Sequence, residues 1–387
     1  MIQRFIFLLI FCASLPLHAQ TYRYLLLFKD KSSNTYSLNN PSAFLSSKSL
    51  ERRRKNRVAV TSQDLPVSTA YLDQVKATGA RILFPLKWIN GALIEQKPSE
   101  LKKTLALSSV KGLYWNFPAD SSSAKQIQSG TLSNSSSPDY GNAITQISQL
   151  GVDQMHAMGI HGEGTLITLL DDGFKQANSA SFLLNTFSEK RIIATLATDP
   201  TISSVFESGG HGTNVLSAIA GYEPGKLIGT AYKASFALAQ TEESGHELIV
   251  EEANWLRGAE WADSLGTDII SSSLGYSTFD NPLHNHAYSD MNGKTTLVSK
   301  AAAWAASKGI LCTISAGNEG ANAWKYVTAP ADADSIITVG AVNALGGLSS
   351  FSSIGPSFDG RIKPDVVALG SNTVVGFTDG TIGISSG

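Results

Sequence analysis

Thr165-Leu166-Ile167-Thr168-Leu169-Leu170-Asp171-Asp172-Gly173-Phe174 opens an alternation that runs through the rest of the chain. The apolar run over 165–170 reads as a buried strand. Asp171 is delivered to its tip, and Gly173 turns the chain there. Further along, residues 211–220 read as a helix, 234–240 as a strand and 247–264 as a long helix. A strand over 268–273, an Ala-rich helix over 296–308 and strands over 309–315 and 335–342 follow. Strands and helices alternating at these lengths predict an α/β unit. Its core is a mainly parallel sheet flanked by helices on both faces. In such sheets chemistry gathers at the carboxyl ends of the strands.

Ahead of this unit the pattern differs. Residues 21–116 predict a small α+β domain: strands at 23–28, 81–84, 88–94 and 112–116, and helices within 44–57, 68–78 and 98–107. Residues 117–140 are predicted to be a flexible linker, because residues 120–139 hold eight serines and little that could be buried. Residues 1–19 run from Arg4 through an apolar stretch to Ala19, the order of a secretory signal peptide. The remaining domain is 141–387. A secreted or extracytoplasmic location follows, in the periplasm, at the cell surface or beyond. No later run reaches the roughly 20 apolar residues of a membrane span.

The net charge of −2 hides an asymmetry. Residues 21–116 carry 16 Lys+Arg against 6 Asp+Glu, and residues 117–387 carry 13 against 26. The run Arg52, Arg53, Arg54, Lys55 and Arg57 could meet a nucleic acid or an anionic lipid, but its natural partner is the acidic remainder of its own chain. No aromatic–basic motif accompanies it, so nucleic acid is not expected as a partner. Of the two cysteines, Cys12 falls in the signal, leaving Cys312 in an apolar run as a packing residue.

Three Gly-flanked segments sit at strand ends. Asp171 can orient and compensate an imidazolium. His211, in Ser208-Gly209-Gly210-His211-Gly212-Thr213-Asn214-Val215, begins a small-residue helix that must press on other backbone, which gives a general base its rigidity. Asn318, in Ser315-Ala316-Gly317-Asn318-Glu319-Gly320, could donate its amide to a developing oxyanion. Each alone also reads as a turn or cap. Together their order is acid, base, amide.

In that order the sequence resembles the subtilisin-like serine peptidases (subtilases, peptidase family S8) over about 141–387. Asp171-Asp172-Gly173 is similar to the family's Asp-Thr/Ser-Gly, and His211-Gly212-Thr213-Asn214-Val215 to its His-Gly-Thr-His-Val. Gly317-Asn318 is similar to its oxyanion loop, and Ser273-Leu274-Gly275 to the strand that pairs with substrate. Phe351 to Pro356 and Lys363 to Val366 resemble later landmarks. The resemblance implies a secreted serine endopeptidase with catalytic Asp171 and His211, oxyanion donor Asn318, and substrate-binding Ser273, Leu274, Gly275 and Gly317. It implies a protein or peptide substrate. It also implies that residues 21–116 are a propeptide, an inhibitor and chaperone of the same chain. Asp172 and Asn214 depart from the family pattern.

Gly387 resembles the first residue of the family's Gly-Thr-Ser motif, which places the expected nucleophile two positions further. Residues 1–387 are therefore expected to be a fragment of a longer gene product, inactive by itself. Ser385 and Ser386 lack a following helix to present them to His211. The alternative is a peptide-binding pseudoprotease without turnover. No cofactor and no catalytic metal are expected. Asp290-Met291-Asn292-Gly293 hints at structural calcium without the further ligands. Trp255, Trp261 and Trp304 read as core, and His284 and His286 as exposed loop residues.

Overall fold

The computed structural model describes residues 21–119 and 140–387. The expected signal peptide and residues 120–139 of the expected linker lie outside the described residues.

The N-terminal unit comprises β1 (Tyr22–Phe28), α1 (Ser47–Lys55), α2 (Thr69–Ala77), β2 (Arg81–Leu86), β3 (Gly91–Gln96), α3 (Pro98–Leu105) and β4 (Val110–Leu113). Its antiparallel sheet has the order β2-β3-β1-β4. The pleat of β1 sorts its side chains. Tyr24, Leu26 and Phe28 join Val67, Tyr71 and Val75 in the unit's own core. Leu25 points the other way, into a core shared with the second unit. The last strand lies earlier than the predicted 112–116, because pairing of Val110 with Phe28 sets its register. Hydrogen bonding then continues to Ala119, which pairs with Arg23.

The second unit comprises β5 (Leu166–Asp171), β6 (Ile192–Ala197), α4 (His211–Ala220), β7 (Ser235–Gln240), α5 (Val250–Leu265), β8 (Ile269–Ser272), α6 (Leu297–Ser307), β9 (Leu311–Ser315), β10 (Ile337–Val342), β11 (Val366–Leu369) and the hairpin β12–β13 (Thr373–Gly376, Ile382–Ser385). Seven parallel strands form one sheet in the order β11-β10-β9-β8-β5-β7-β6. Every residue of β5 is buried, as a central parallel strand requires. Strands added after β5 go first to one side and later to the other, so the switch point falls beside the tip of β5.

Helices α5 and α6 cover one face through Leu170, Ala239, Ile270, Cys312 and Ile314. Helix α4 covers the other over β5 and β7, through Ile167, Leu169, Phe236 and Leu238. Coverage of both faces stops there. On the α4 side Leu311 and Val366 stay 46% and 49% exposed, because α5 and α6 both pack on the opposite face.

Trp255 is fully buried and its Nε1 donates to Ser272 Oγ at 3.0 Å, while Trp261 and Trp304 pack half-buried against the same core. Burial pushes the Cys312 thiol pKa up to about 12, which leaves it inert. The two loop histidines are not exposed. His284 is buried with its ring 4.3 Å from that of Phe117, and His286 Nε2 meets Glu252 Oε1 at 2.5 Å. The loop is closed on itself by His286 N–H to Ser277 O and tied to the segment before α5 by Asp280 N–H to Glu247 O.

Candidate active site

The tip of β5 and the start of α4 are fused by close backbone contact. A Cβ on Gly212 would overlap the Gly173 carbonyl oxygen, and Gly173 itself has φ +140°. Only glycine fits at both positions. The contact brings His211 Nδ1 to 2.7 Å from Asp171 Oδ1. Asp171 is 1% exposed, whereas half of the His211 side chain is open to solvent. One nitrogen of the ring is thus held by a buried carboxylate while the ring's other edge faces the cleft. The carboxylate's Oδ2 has no partner among the described residues.

Asp172 supplies what α4 lacks. Gly210, at the helix N-cap, has no side chain to accept from the first turn. Asp172 Oδ1 accepts the Gly212 N–H at 3.1 Å instead. An acid at a helix N-terminus is favoured by the helix dipole as well. Burial first, and then the Asp171 charge, push the Asp172 pKa up to about 6. The His211 pKa is raised chiefly by the Asp171 charge, against burial. The Asp171 hydrogen bond and the Asp172 and Glu242 charges add to the rise.

The second cluster lies along the same edge of the sheet. Ser272 ends β8 level with Leu170 of β5 and Ile314 of β9, so Ser273 and Ser315 stand beside Asp171 on adjoining strands. Ser273, Gly317, Asn318 and Gly387 line one cavity of about 220 Å³ at these strand ends. A Cβ built on Gly387 would sit 3.7 Å from Asn318 Nδ2. Leu274 instead packs on the core, and Gly275 lies against Thr328. Ser386 Oγ accepts from Asn372 N–H, and Ser385 pairs with Thr373 on the hairpin.

Some contributors carry no local signal. Ser353 pins the Asn318 loop from both sides: its N–H donates to Gly317 O at 2.9 Å and its Oγ accepts from Glu319 N–H at 3.0 Å. Glu242 and Glu247 are also missed. Burial, more than neighbouring charge, raises their pKa values to about 8 and about 7.

Asp171, Asp172 and His211 place ligand atoms within 4.8 Å of one another, a spacing a metal would accept. Yet Asp171 Oδ1 and His211 Nδ1 engage each other, and Asp172 Oδ1 engages backbone. That arrangement suits a proton acceptor backed by a carboxylate.

A buried acid, a half-open imidazole and an amide loop thus share the carboxyl ends of one parallel sheet, and comparison with known sequences gives the class. Residues 162–386 match the subtilase family model of peptidase family S8, so the chain belongs to the subtilase family of serine peptidases. Residues 23–131 match a peptidase S8 propeptide domain of Bacteroidota. Subtilisin NAT of Bacillus subtilis subsp. natto is 28% identical over 323 residues, 81% of this chain and 71% of the relative. Subtilisin E of Bacillus subtilis shows the same identity and coverage. The minor extracellular protease Vpr of Bacillus subtilis is 26% identical over 65% of this chain and 29% of its own length. Among the described residues no helix is long and apolar enough to cross a membrane.

Proposed function

We propose that the gene product is a secreted serine endopeptidase made as a zymogen. His211, held in one tautomer by Asp171, takes the proton of a serine hydroxyl, the nucleophile of this reading. The hydroxyl oxygen attacks the scissile carbonyl. The Asn318 amide donates to the oxyanion that forms, and Ser353 keeps that loop in place. His211 then returns the proton to the leaving amine, and water hydrolyses the acyl-enzyme. The substrate backbone lies along Ser273 to Gly275, next to Gly317, and residues 21–116 block the cleft until removed.

The observation that carries this reading is the 2.7 Å Asp171–His211 contact, made by a buried acid to a half-exposed ring. The test is casein hydrolysis and serine-directed phosphonylation of the full gene product. Phosphonate labelling of one serine with parallel loss of hydrolysis is the expected result. Hydrolysis that survives the phosphonate and is lost to chelators would sink the proposal.

A further inference from the structure

Arg23, in the first strand of the N-terminal unit, and Glu243, in the second unit, lie 220 residues apart in sequence. The pleat of β1 puts Arg23 on the same face as Leu25, towards α5. Its Nη1 lies 2.6 Å from Glu243 Oε1, and both side chains are buried, at 8% and 1% exposed.

The loop that carries Glu243 is also held by bonds that do not involve Arg23. The Glu243 N–H donates to Glu251 Oε1 at 2.7 Å, and the Leu248 N–H donates to Glu251 Oε2 at 2.8 Å. These two bonds strap the loop over the start of α5. Asn254 Nδ2 donates to Glu243 Oε1 at 3.3 Å. The other oxygen, Oε2, is buried and has no partner among the described residues. A fork-shaped donor can use both oxygens of such a carboxylate.

The location ties this acid to the cleft. Thr241 N–H donates to Asp171 O at 3.0 Å, and Tyr276 Oη, directly after Gly275, donates to Glu242 Oε1 at 2.6 Å. Thr241 and Glu242, the two residues before Glu243, thus bond to the tip of β5 and to the residue that follows the expected substrate strand. The Arg23 backbone also pairs with Ala119, where the chain leaves the N-terminal unit. Removing Arg23 would leave a buried carboxylate without its cation, a state that favours refilling by another.

We propose that Glu243 is a guanidinium-binding site on the peptidase unit, filled by Arg23 in this chain and open to an arginine side chain of a peptide once the N-terminal unit has left. The second half rests on the peptidase reading above; the first half does not.

Binding of methylguanidinium and of neutral methylurea to the 387-residue chain, followed by calorimetry, tests the site. With Arg23→Ala, which vacates the side chain's space while the N-terminal unit stays docked, methylguanidinium is expected to bind saturably, about tenfold or more tighter than methylurea. Adding Glu243→Gln is expected to abolish that difference, and the native chain is expected to bind neither. Equal binding of the two, or a preference that survives Glu243→Gln, overturns the site. Should Arg23→Ala not fold, hydrogen exchange decides. Glu243→Gln should speed exchange of the Arg23 and Ala119 amides about tenfold or more, and unchanged exchange overturns the site. For the substrate half, peptides carrying arginine or citrulline at each of the four positions before the scissile bond are compared on the full gene product. Glu243→Gln is expected to lower the arginine-to-citrulline ratio of kcat/KM about tenfold at one position. An unchanged ratio everywhere assigns the site to Arg23 alone and overturns the substrate half. If no peptide is cut at all, the peptidase reading fails while the binding measurement still decides the site.

Discussion

Asp171 and Asp263 are almost equally buried, and both meet nitrogen partners within 3 Å, yet they are finished differently. Asp263 on α5 is saturated: Arg52 Nη2 at 2.5 Å, Arg53 Nη2 at 2.9 Å and Lys87 Nζ at 3.3 Å all come to it from the N-terminal unit. Lys308 returns the exchange by meeting Asp64 at 3.3 Å. Asp171 has one ring nitrogen as its side-chain partner, and one of its oxygens has no partner among the described residues. Every donor around Asp263 is enclosed, whereas the ring on Asp171 is half open. A carboxylate surrounded by fixed cations holds two units together. One backed onto a single exposed imidazole leaves that group able to exchange a proton.

The contrast can be broken most forcefully at the cleft. His211→Ala or Asp171→Asn in the full gene product is expected to lower kcat for peptide hydrolysis about 10⁴-fold, as loss of a triad member does elsewhere. A tenfold effect would mean that the pair is structural. Next in size is Asp263→Asn. It strands buried cations and is expected to cost about 3–5 kcal/mol of stability, read from urea unfolding of the chain. If Asp171→Asn cost as much, the distinction between the two carboxylates would be lost.

Asp172→Asn probes the open pair more gently. The base works when neutral, so activity rises with pH through the His211 pKa. Asp172 contributes to raising that pKa, so its replacement should move the acid limb of kcat/KM to lower pH, by less than about one unit. A shift upward would contradict the electrostatics. The smallest effect belongs to Lys48, whose pair with Asp268 joins the same two units at 2.8 Å but is more than a third exposed on both sides. Lys48→Ala should change the unfolding free energy read from urea titration by no more than about 0.5 kcal/mol, in marked contrast with Asp263→Asn.

Much of this was legible in the sequence because it is local. Period and glycine punctuation placed α4 over 211–220, the residues it occupies, and β5 within one residue of its ends. The acid and the base were readable because each stands where a strand or helix must end or begin. The edge strand β6 escaped although Ile192 to Ala197 is apolar at all but Thr195, and at the sheet's edge none of these residues is fully buried. His284 and His286 were misread because their partners, Phe117 and Glu252, lie far off in sequence. The burial of Arg52 and Arg53 could be anticipated only as a charge imbalance between two stretches. Which acid they meet is a property of packing. Ser353, one residue of a polar run, gave no hint that it pins the Asn318 loop.

The bond from Gly212 to Asp172 has an engineering corollary. Strand tip and helix start are clasped by a side chain that the family motif fills with a hydroxyl, so the two motifs are not interchangeable parts. A chimera importing one from a relative while keeping the other would pair a foreign collar with a native stem. Transplantation should move 171–173 and 208–212 as one cassette.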